Sequence, residues 1–105
     1  MGKAMTRMTV PDFVCAKASR RKIVMLTAYD YVGAKVAEAG HVDAILVGDS
    51  LGMTVQGHAT TLPVTLEQMI YHTNAVCQGA PNSFVICDMP FGTYTNADAA
   101  LQNSI

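Results

Sequence analysis

Lysine and arginine are absent from the whole chain after Lys35. The charged residues that follow are all acidic, namely Glu38, Asp43, Asp49, Glu67, Asp88 and Asp98. Without a basic side chain this part of the chain cannot neutralise a phosphate backbone, so no nucleic-acid partner is expected. A hard divalent cation is a better match to these carboxylates.

The basic residues are confined to the first 35 positions: Lys3, Arg7, Lys17, Arg20, Arg21, Lys22 and Lys35. A basic, acid-poor N-terminus is typical of a transit peptide or of a nucleic-acid-binding arm. Pro11 and Asp12 interrupt the segment, and aromatic residues do not alternate with the basic ones. Both interpretations are therefore disfavoured.

Long apolar runs and paired cysteines are also missing. No run approaches the roughly 18–20 apolar residues that cross a bilayer, so no membrane partner is expected. Cys15, Cys77 and Cys87 form no CxxC pair and are odd in number. This usage predicts reduced, mostly buried thiols in a cytoplasmic protein. At 105 residues, half of them apolar, the chain is one domain at most.

Two short apolar runs, 44–47 and 84–87, are each followed closely by an aspartate, Asp49 and Asp88. The runs are too short for helices and are rich in β-branched or aromatic residues, which indicates strands buried on both faces of a parallel sheet. Chemistry in such sheets gathers at the carboxyl ends of the strands. The pattern therefore predicts a two-carboxylate cation site at that edge.

The whole chain is predicted to be α/β, with a leading helix and linker over 1–21 and three βα units over 22–105. Predicted strands cover 23–27, 44–48 and 84–87. Predicted helices cover 11–17, 31–39, the segment from Thr65 that ends at Gly79 to Asn82, and the segment from 95. Asp30 is expected to cap the second helix, Gly40 to end it in a left-handed turn, and Thr65 with Gln68 to form a capping box. The long stretch 50–64 has no helical period and is expected to be a loop.

Such a repeat builds either an open doubly wound sheet or a (β/α)8 barrel. The first strand ends in Thr27-Ala28-Tyr29-Asp30, without the glycine-rich turn of nucleotide-binding sheets, which favours part of a TIM barrel. The last helix reaches Ile105 without a stop signal, so the barrel is expected to be incomplete at the C-terminus.

The segment from Gly48 to Gly52 satisfies G-x-S-x-G and would make Ser50 a hydrolase nucleophile. That interpretation requires a helix directly after Ser50, where no helical period is found, and a histidine base. It is therefore disfavoured. Tyr29 follows the first strand and His58 lies in the long loop, so both are expected on the side of the cation site, and the role of His58 stays open.

The chain resembles the ketopantoate (3-methyl-2-oxobutanoate) hydroxymethyltransferase family from about residue 8 to its end. Four segments stand in the family's order and spacing: Thr27-Ala28-Tyr29-Asp30, Leu46-Val47-Gly48-Asp49-Ser50-Leu51-Gly52, Thr61-Leu62-Pro63-Val64-Thr65 and Asp88-Met89-Pro90-Phe91. The resemblance implies a (β/α)8 barrel, a bound Mg²⁺ and a cytoplasmic homo-oligomer, typically a decamer. The implied reaction moves a hydroxymethyl group from 5,10-methylenetetrahydrofolate to 3-methyl-2-oxobutanoate and gives 2-dehydropantoate, in pantothenate biosynthesis.

The same resemblance implies roles for three residues. Asp49 and Asp88 match the metal ligands, and Asp49, Ser50 and Asp88 match the positions that hold the keto acid. Ser50 is then a hydrogen-bond donor to the substrate carboxylate rather than a nucleophile. The family's proton-abstracting glutamate and substrate-binding lysine are expected beyond Ile105, so no catalytic residue is expected within this chain.

An alternative stays open, in which the chain is a truncated, inactive fragment. Such a fragment would retain at most Mg²⁺ and keto-acid binding or self-association. Three parallel strands would leave two open sheet edges, which favours association or aggregation of such a chain.

Overall fold

The computed structural model describes residues 7–105, and over this range the chain forms three parallel strands with helices between them. The strands are β1 (Met25–Thr27), β2 (Ala44–Val47) and β3 (Phe84–Cys87), and they lie in the order β1-β2-β3. The predicted α/β class and the parallel pairing of the strands are confirmed. The first six positions of the predicted leading segment, Lys3 among them, lie outside the described residues.

Five helices are present in the described range: α1 (Val10–Ala16), α2 (Tyr31–Ala39), α3 (Leu51–Thr54), α4 (Leu66–Gly79) and α5 (Ala97–Ser104). Side chains cap four of them, because Thr9, Asp30, Thr65 and Asn96 each accept a hydrogen bond from a backbone N–H three residues later. This satisfies an amide that has no partner within the first helical turn. The predicted Asp30 cap and the predicted Thr65 capping box are both confirmed. None of these helices is long and apolar enough to cross a membrane.

Two local predictions are wrong. A single-turn helix, α3, occupies Leu51–Thr54, where a loop was predicted, because backbone hydrogen bonds close one turn without an amphipathic period. The left-handed residue after α2 is His41, with a φ of 62°, and not Gly40, with a φ of −81°. Gly40 instead donates its N–H back to carbonyl oxygens in the last turn of α2.

The core lies between β2 and the pair of helices α2 and α4. Ile45, Val47, Met69 and Val76 are fully buried there, and α4 contacts α2, β2 and β3. Gly79 lets α2 approach α4, since a Cβ at this position would collide with the carbonyl oxygen of Tyr31. α4 therefore packs against the central strand, and α2 packs against α4.

The two predicted buried strands differ in exposure. β2 is almost entirely buried, whereas β3 is half-buried along most of its length and exposed at Cys87. β3 lies at the edge of the described sheet with a single neighbouring strand, and this position explains the difference. Burial on both faces is confirmed for β2 and wrong for β3.

The helical spacing of Leu66, Met69, Ile70, Thr73, Val76 and Cys77 predicts that these residues form one buried stripe on α4, and the observed stripe is rotated from it. Met69 and Val76 are buried as predicted, but Ile70 and Cys77 are exposed and Gly79 is buried. The prediction of mostly buried thiols is also wrong, because all three cysteines are exposed and free. They lie on α1, on the outer face of α4 and at the end of the edge strand β3, where few groups cover them.

Candidate functional site

The β2/β3 register brings the two predicted carboxylates together. Val47 pairs with Cys87, so the residues that follow the two strands leave the sheet side by side. The Asp88 N–H donates to the Val47 carbonyl oxygen at 3.0 Å, which extends the ladder by one residue. The Asp49 N–H then donates to Oδ2 of Asp88 at 3.2 Å. Asp49 and Asp88 thus lie next to each other at the carboxyl edge of the sheet.

Gly48 makes room for this arrangement. A Cβ at position 48 would lie 3.3 Å from Oδ2 of Asp88 and 3.3 Å from Oγ of Ser50. Both distances are tighter than ordinary van der Waals contact, so a larger residue would push the carboxylate and the hydroxyl apart. The glycine therefore allows Asp88 and Ser50 to approach the same short segment of backbone from two sides.

An open cleft of about 410 Å³ lies over the two aspartates and is lined by Asp49, Asp88, Met89 and Tyr94. Both carboxylates are half-buried and face solvent through the cleft. Within residues 7–105, no third histidine, cysteine or acidic side chain joins them in a metal-binding group. Two carboxylates with open coordination positions suit Mg²⁺, which keeps several waters and is commonly held by one or two carboxylates plus substrate oxygens. The donor set therefore fits the implied ion.

Ser50, the third predicted site residue, is held from the neighbouring strand end. Its Oγ lies 2.9 Å from the phenolic oxygen of Tyr29, which follows β1. The Tyr29 carbonyl oxygen lies in turn 2.7 Å from Nδ1 of His72 on α4. The site therefore draws on the ends of all three described strands.

Hydroxyl groups around Tyr29 change its acidity. The hydrogen bond with Ser50 is the main cause that lowers the pKa of the Tyr29 phenol from its ordinary value. Partial burial opposes this shift, while hydrogen bonds with Thr27 and Thr54 act in the same direction as Ser50. The phenol is thus surrounded by groups that stabilise negative charge on its oxygen.

The hydrolase interpretation of Ser50 requires a helix directly after the serine and a base next to its hydroxyl, and the structure shows only the first of these. The single turn of α3 does begin directly after Ser50, contrary to the prediction. A serine nucleophile also needs a base within hydrogen-bond reach. The partner of Ser50 Oγ is a phenol, and the Nδ1 atom of His72 is directed to a backbone carbonyl oxygen. The arrangement gives no support to acyl transfer.

Two cleft residues, Met89 and Tyr94, were not among the predicted site residues. Both follow β3, so their position beyond the carboxyl end of a strand is the signal that would have identified them. His58 is exposed in the loop after α3 and is not among the described residues that line the cleft. Its backbone N–H donates to the Gly52 carbonyl oxygen at 2.8 Å, which is a structural contact.

Comparison with known proteins gives a consistent result. The family model described as ketopantoate hydroxymethyltransferase matches residues 7–105. Curated proteins named 3-methyl-2-oxobutanoate hydroxymethyltransferase are similar to the chain. The protein from Magnetococcus marinus is 58% identical over 90 residues, covering 86% of this chain and 34% of the relative. The protein from Thermus thermophilus is 56% identical over 95 residues, covering 90% and 36%. The chain spans about a third of the length of these relatives.

Proposed function

Because the chain belongs to the ketopantoate hydroxymethyltransferase family, we propose that it takes part in the transfer of a hydroxymethyl group to 3-methyl-2-oxobutanoate. The donor is 5,10-methylenetetrahydrofolate and the product is 2-dehydropantoate. The observation that carries this proposal is the pair of neighbouring carboxylates, Asp49 and Asp88, joined by a hydrogen bond from the Asp49 backbone at the carboxyl edge of the sheet.

The described sheet supports a further proposal, that residues 1–105 are the N-terminal portion of a (β/α)8 barrel. In this proposal a leading helix and linker cover 1–21 and the first three βα units cover 22–105. The strand order follows the chain order without reversal. Right-handed crossovers between successive parallel neighbours place their helices on one face of the sheet. The contact between α2 and α4 agrees with this arrangement. A homo-oligomer, a decamer by the family's pattern, and a cytoplasmic location belong to the same proposal.

In the proposed site, Asp49 and Asp88 hold Mg²⁺ and Ser50 donates a hydrogen bond to the carboxylate of the keto acid. Mg²⁺ supplies Lewis acidity that polarises the oxygens of the acid when both are bound. The cleft residues Met89 and Tyr94 limit the space beside the two carboxylates. Among the residues described, these side chains bind and orient the acid; none of them is assigned the removal of its proton.

Calorimetric titration of Mg²⁺ and 3-methyl-2-oxobutanoate into the purified chain tests the proposal. Asp49→Asn and Asp88→Asn each remove one charge from the cleft, and we expect each to weaken Mg²⁺ binding by at least about tenfold. Asp98→Asn is the matched control, because it removes an equal charge from the exposed first turn of α5. We expect this variant to bind like the unchanged chain.

The outcomes separate the two functional hypotheses. Binding that depends on both aspartates supports the complete transfer reaction if 2-dehydropantoate also forms when 5,10-methylenetetrahydrofolate is added in a separate activity assay. Binding without product supports the alternative of a fragment that retains only metal and keto-acid binding. If the aspartate variants bind Mg²⁺ as well as Asp98→Asn does, the proposed site is wrong.

A further inference from the structure

The phenol of Tyr29 connects the end of β1 with Ser50, at the end of β2. Its oxygen lies 2.9 Å from Oγ of Ser50, and its ring packs against the buried core. Like Ser50, which directly follows Asp49 in the chain, Tyr29 is not among the residues that line the cleft over Asp49 and Asp88. Its contact with the proposed site therefore runs through Ser50.

The number of protons on Ser50 decides the direction of this hydrogen bond when an acid is bound. A serine hydroxyl has one proton to donate and can accept through two lone pairs. A carboxylate can only accept, so Ser50 must give its single proton to a bound carboxylate. The remaining contact, between Ser50 Oγ and Tyr29, then requires the phenol to be the donor.

We propose that Tyr29 is a positioning residue, whose phenol donates to Ser50 Oγ and thereby directs the Ser50 proton to the carboxylate of a bound 2-keto acid. The inference rests on the proposed function, because it assigns a carboxylate to Ser50. A hydroxyl that accepts a hydrogen bond becomes a better donor, since successive hydrogen bonds polarise one another. Tyr29 thus fixes the orientation of Ser50 and strengthens its bond to the ligand.

The backbone around Tyr29 is held on both sides of its side chain. The Ala28 N–H donates to the Leu46 carbonyl oxygen at 3.2 Å, which continues the pairing of β1 with β2. The Tyr29 carbonyl oxygen is an acceptor, so Nδ1 of His72, at 2.7 Å, carries the proton of that hydrogen bond. The phenol is therefore anchored independently of Ser50, as a group that orients another side chain must be.

Calorimetry of 3-methyl-2-oxobutanoate binding at saturating Mg²⁺ tests the inference in a double-mutant cycle with Tyr29→Phe, Ser50→Ala and the double variant. Tyr29→Phe keeps the ring and removes only the hydroxyl, and we expect it to weaken acid binding about three- to tenfold. Ser50→Ala should weaken binding by at least as much. The double variant should bind no more weakly than Ser50→Ala alone, because Tyr29 acts only through Ser50.

Two further measurements separate positioning from a structural effect. Mg²⁺ binding without the acid should be the same in Tyr29→Phe and in the unchanged chain, because Asp49 and Asp88 are untouched. Tyr31→Phe removes a phenol from the exposed start of α2 and should leave acid binding unchanged.

An unaltered acid affinity in Tyr29→Phe would overturn the inference. Additive losses in the double variant would do so as well, because they would show that Tyr29 acts without Ser50. Weakened Mg²⁺ binding in Tyr29→Phe would assign the tyrosine a structural role instead. If the unchanged chain binds Mg²⁺ but not the acid, the proposed function fails and this inference fails with it.

Discussion

The central strand β2 and its neighbour β1 are similar in sequence and opposite in environment. In β2 the side chains of Ile45 and Val47 are fully buried. In β1 the side chains of Met25 and Leu26 are 47% and 50% exposed. The two strands pair in register, with Leu26 opposite Ile45. Apolar composition therefore set the strand conformation in both, while the number of packed neighbours set the burial.

The same difference in burial applies to the residues that the two strands contribute to the proposed site. Asp49 and Ser50 follow the buried strand, whose position is fixed by α4 on one side and by β3 in the sheet. Tyr29 follows the exposed strand and is held by individual hydrogen bonds, from His72 and with Ser50. Packing of β2 positions Asp49 and Ser50, whereas Tyr29 depends on individual hydrogen bonds in addition to the packing of its ring against the core.

The largest expected effect comes from removing side chains at the paired positions of the two strands. Ile45→Ala leaves a cavity in the core and should lower the free energy of unfolding by about 2–5 kcal/mol. Leu26→Ala is the matched change in β1, where half the side chain already contacts water, and it should cost about 1 kcal/mol or less. Chemical denaturation of both variants measures the difference. Equal losses would show that β1 is covered in solution.

A second comparison concerns two glycines, one in the tight contact between α2 and α4 and one at the open end of α2. Gly79→Ala places a methyl group against the Tyr31 carbonyl oxygen between α2 and α4, which should lower the free energy of unfolding by about 1–3 kcal/mol. Gly40→Ala is the control at the end of α2, where a Cβ would lie 3.4 Å from the nearest atom, an ordinary contact. We expect it to change stability by about 0.5 kcal/mol or less. Thermal unfolding that ranks the two variants in the opposite order would contradict the close packing of α2 on α4.

The sequence was sufficient to predict most elements because their signals are local. Asp30 and Thr65 cap the helices they were expected to cap, and strand type followed from short β-branched runs. The exposure of Ile70 was not predictable in this way. The α4 stripe is set by contact with α2 through Gly79, and a glycine contributes nothing to an apolar pattern.

In the proposed site, too, some features could be predicted from the sequence and others depend on contacts between distant residues. Asp49 and Asp88 were expected at one edge because parallel strands end together, and the register places them there. The contact between Tyr29 and Ser50 joins residues 21 positions apart through a side-chain hydrogen bond. Neither a spacing rule nor an apolar period encodes such a contact, so the role proposed for Tyr29 depends on the three-dimensional structure and could not be predicted from the sequence.

The smallest expected effect concerns α1, a mostly exposed helix like the exposed strand β1. The contribution of Asp12 in α1 to the stability of the protein is expected to depend on pH. The backbone N–H of Thr9 is the main cause that lowers the pKa of the Asp12 carboxyl, and the Thr9 hydroxyl adds to it. A carboxyl with a lowered pKa adds stability above its ordinary pKa, and this contribution is lost as the pH falls through the lowered value. The unchanged chain should therefore be slightly more stable than Asp12→Asn at pH 7, and this difference in the free energy of unfolding should close below about pH 4.

Denaturation of both proteins across this pH range measures the gap in stability. Thr9→Ala keeps the backbone donor, so it should retain most of the pH dependence that Asp12→Asn removes. A gap between the unchanged chain and Asp12→Asn that stays constant with pH would show that the Thr9–Asp12 capping box does not form in solution.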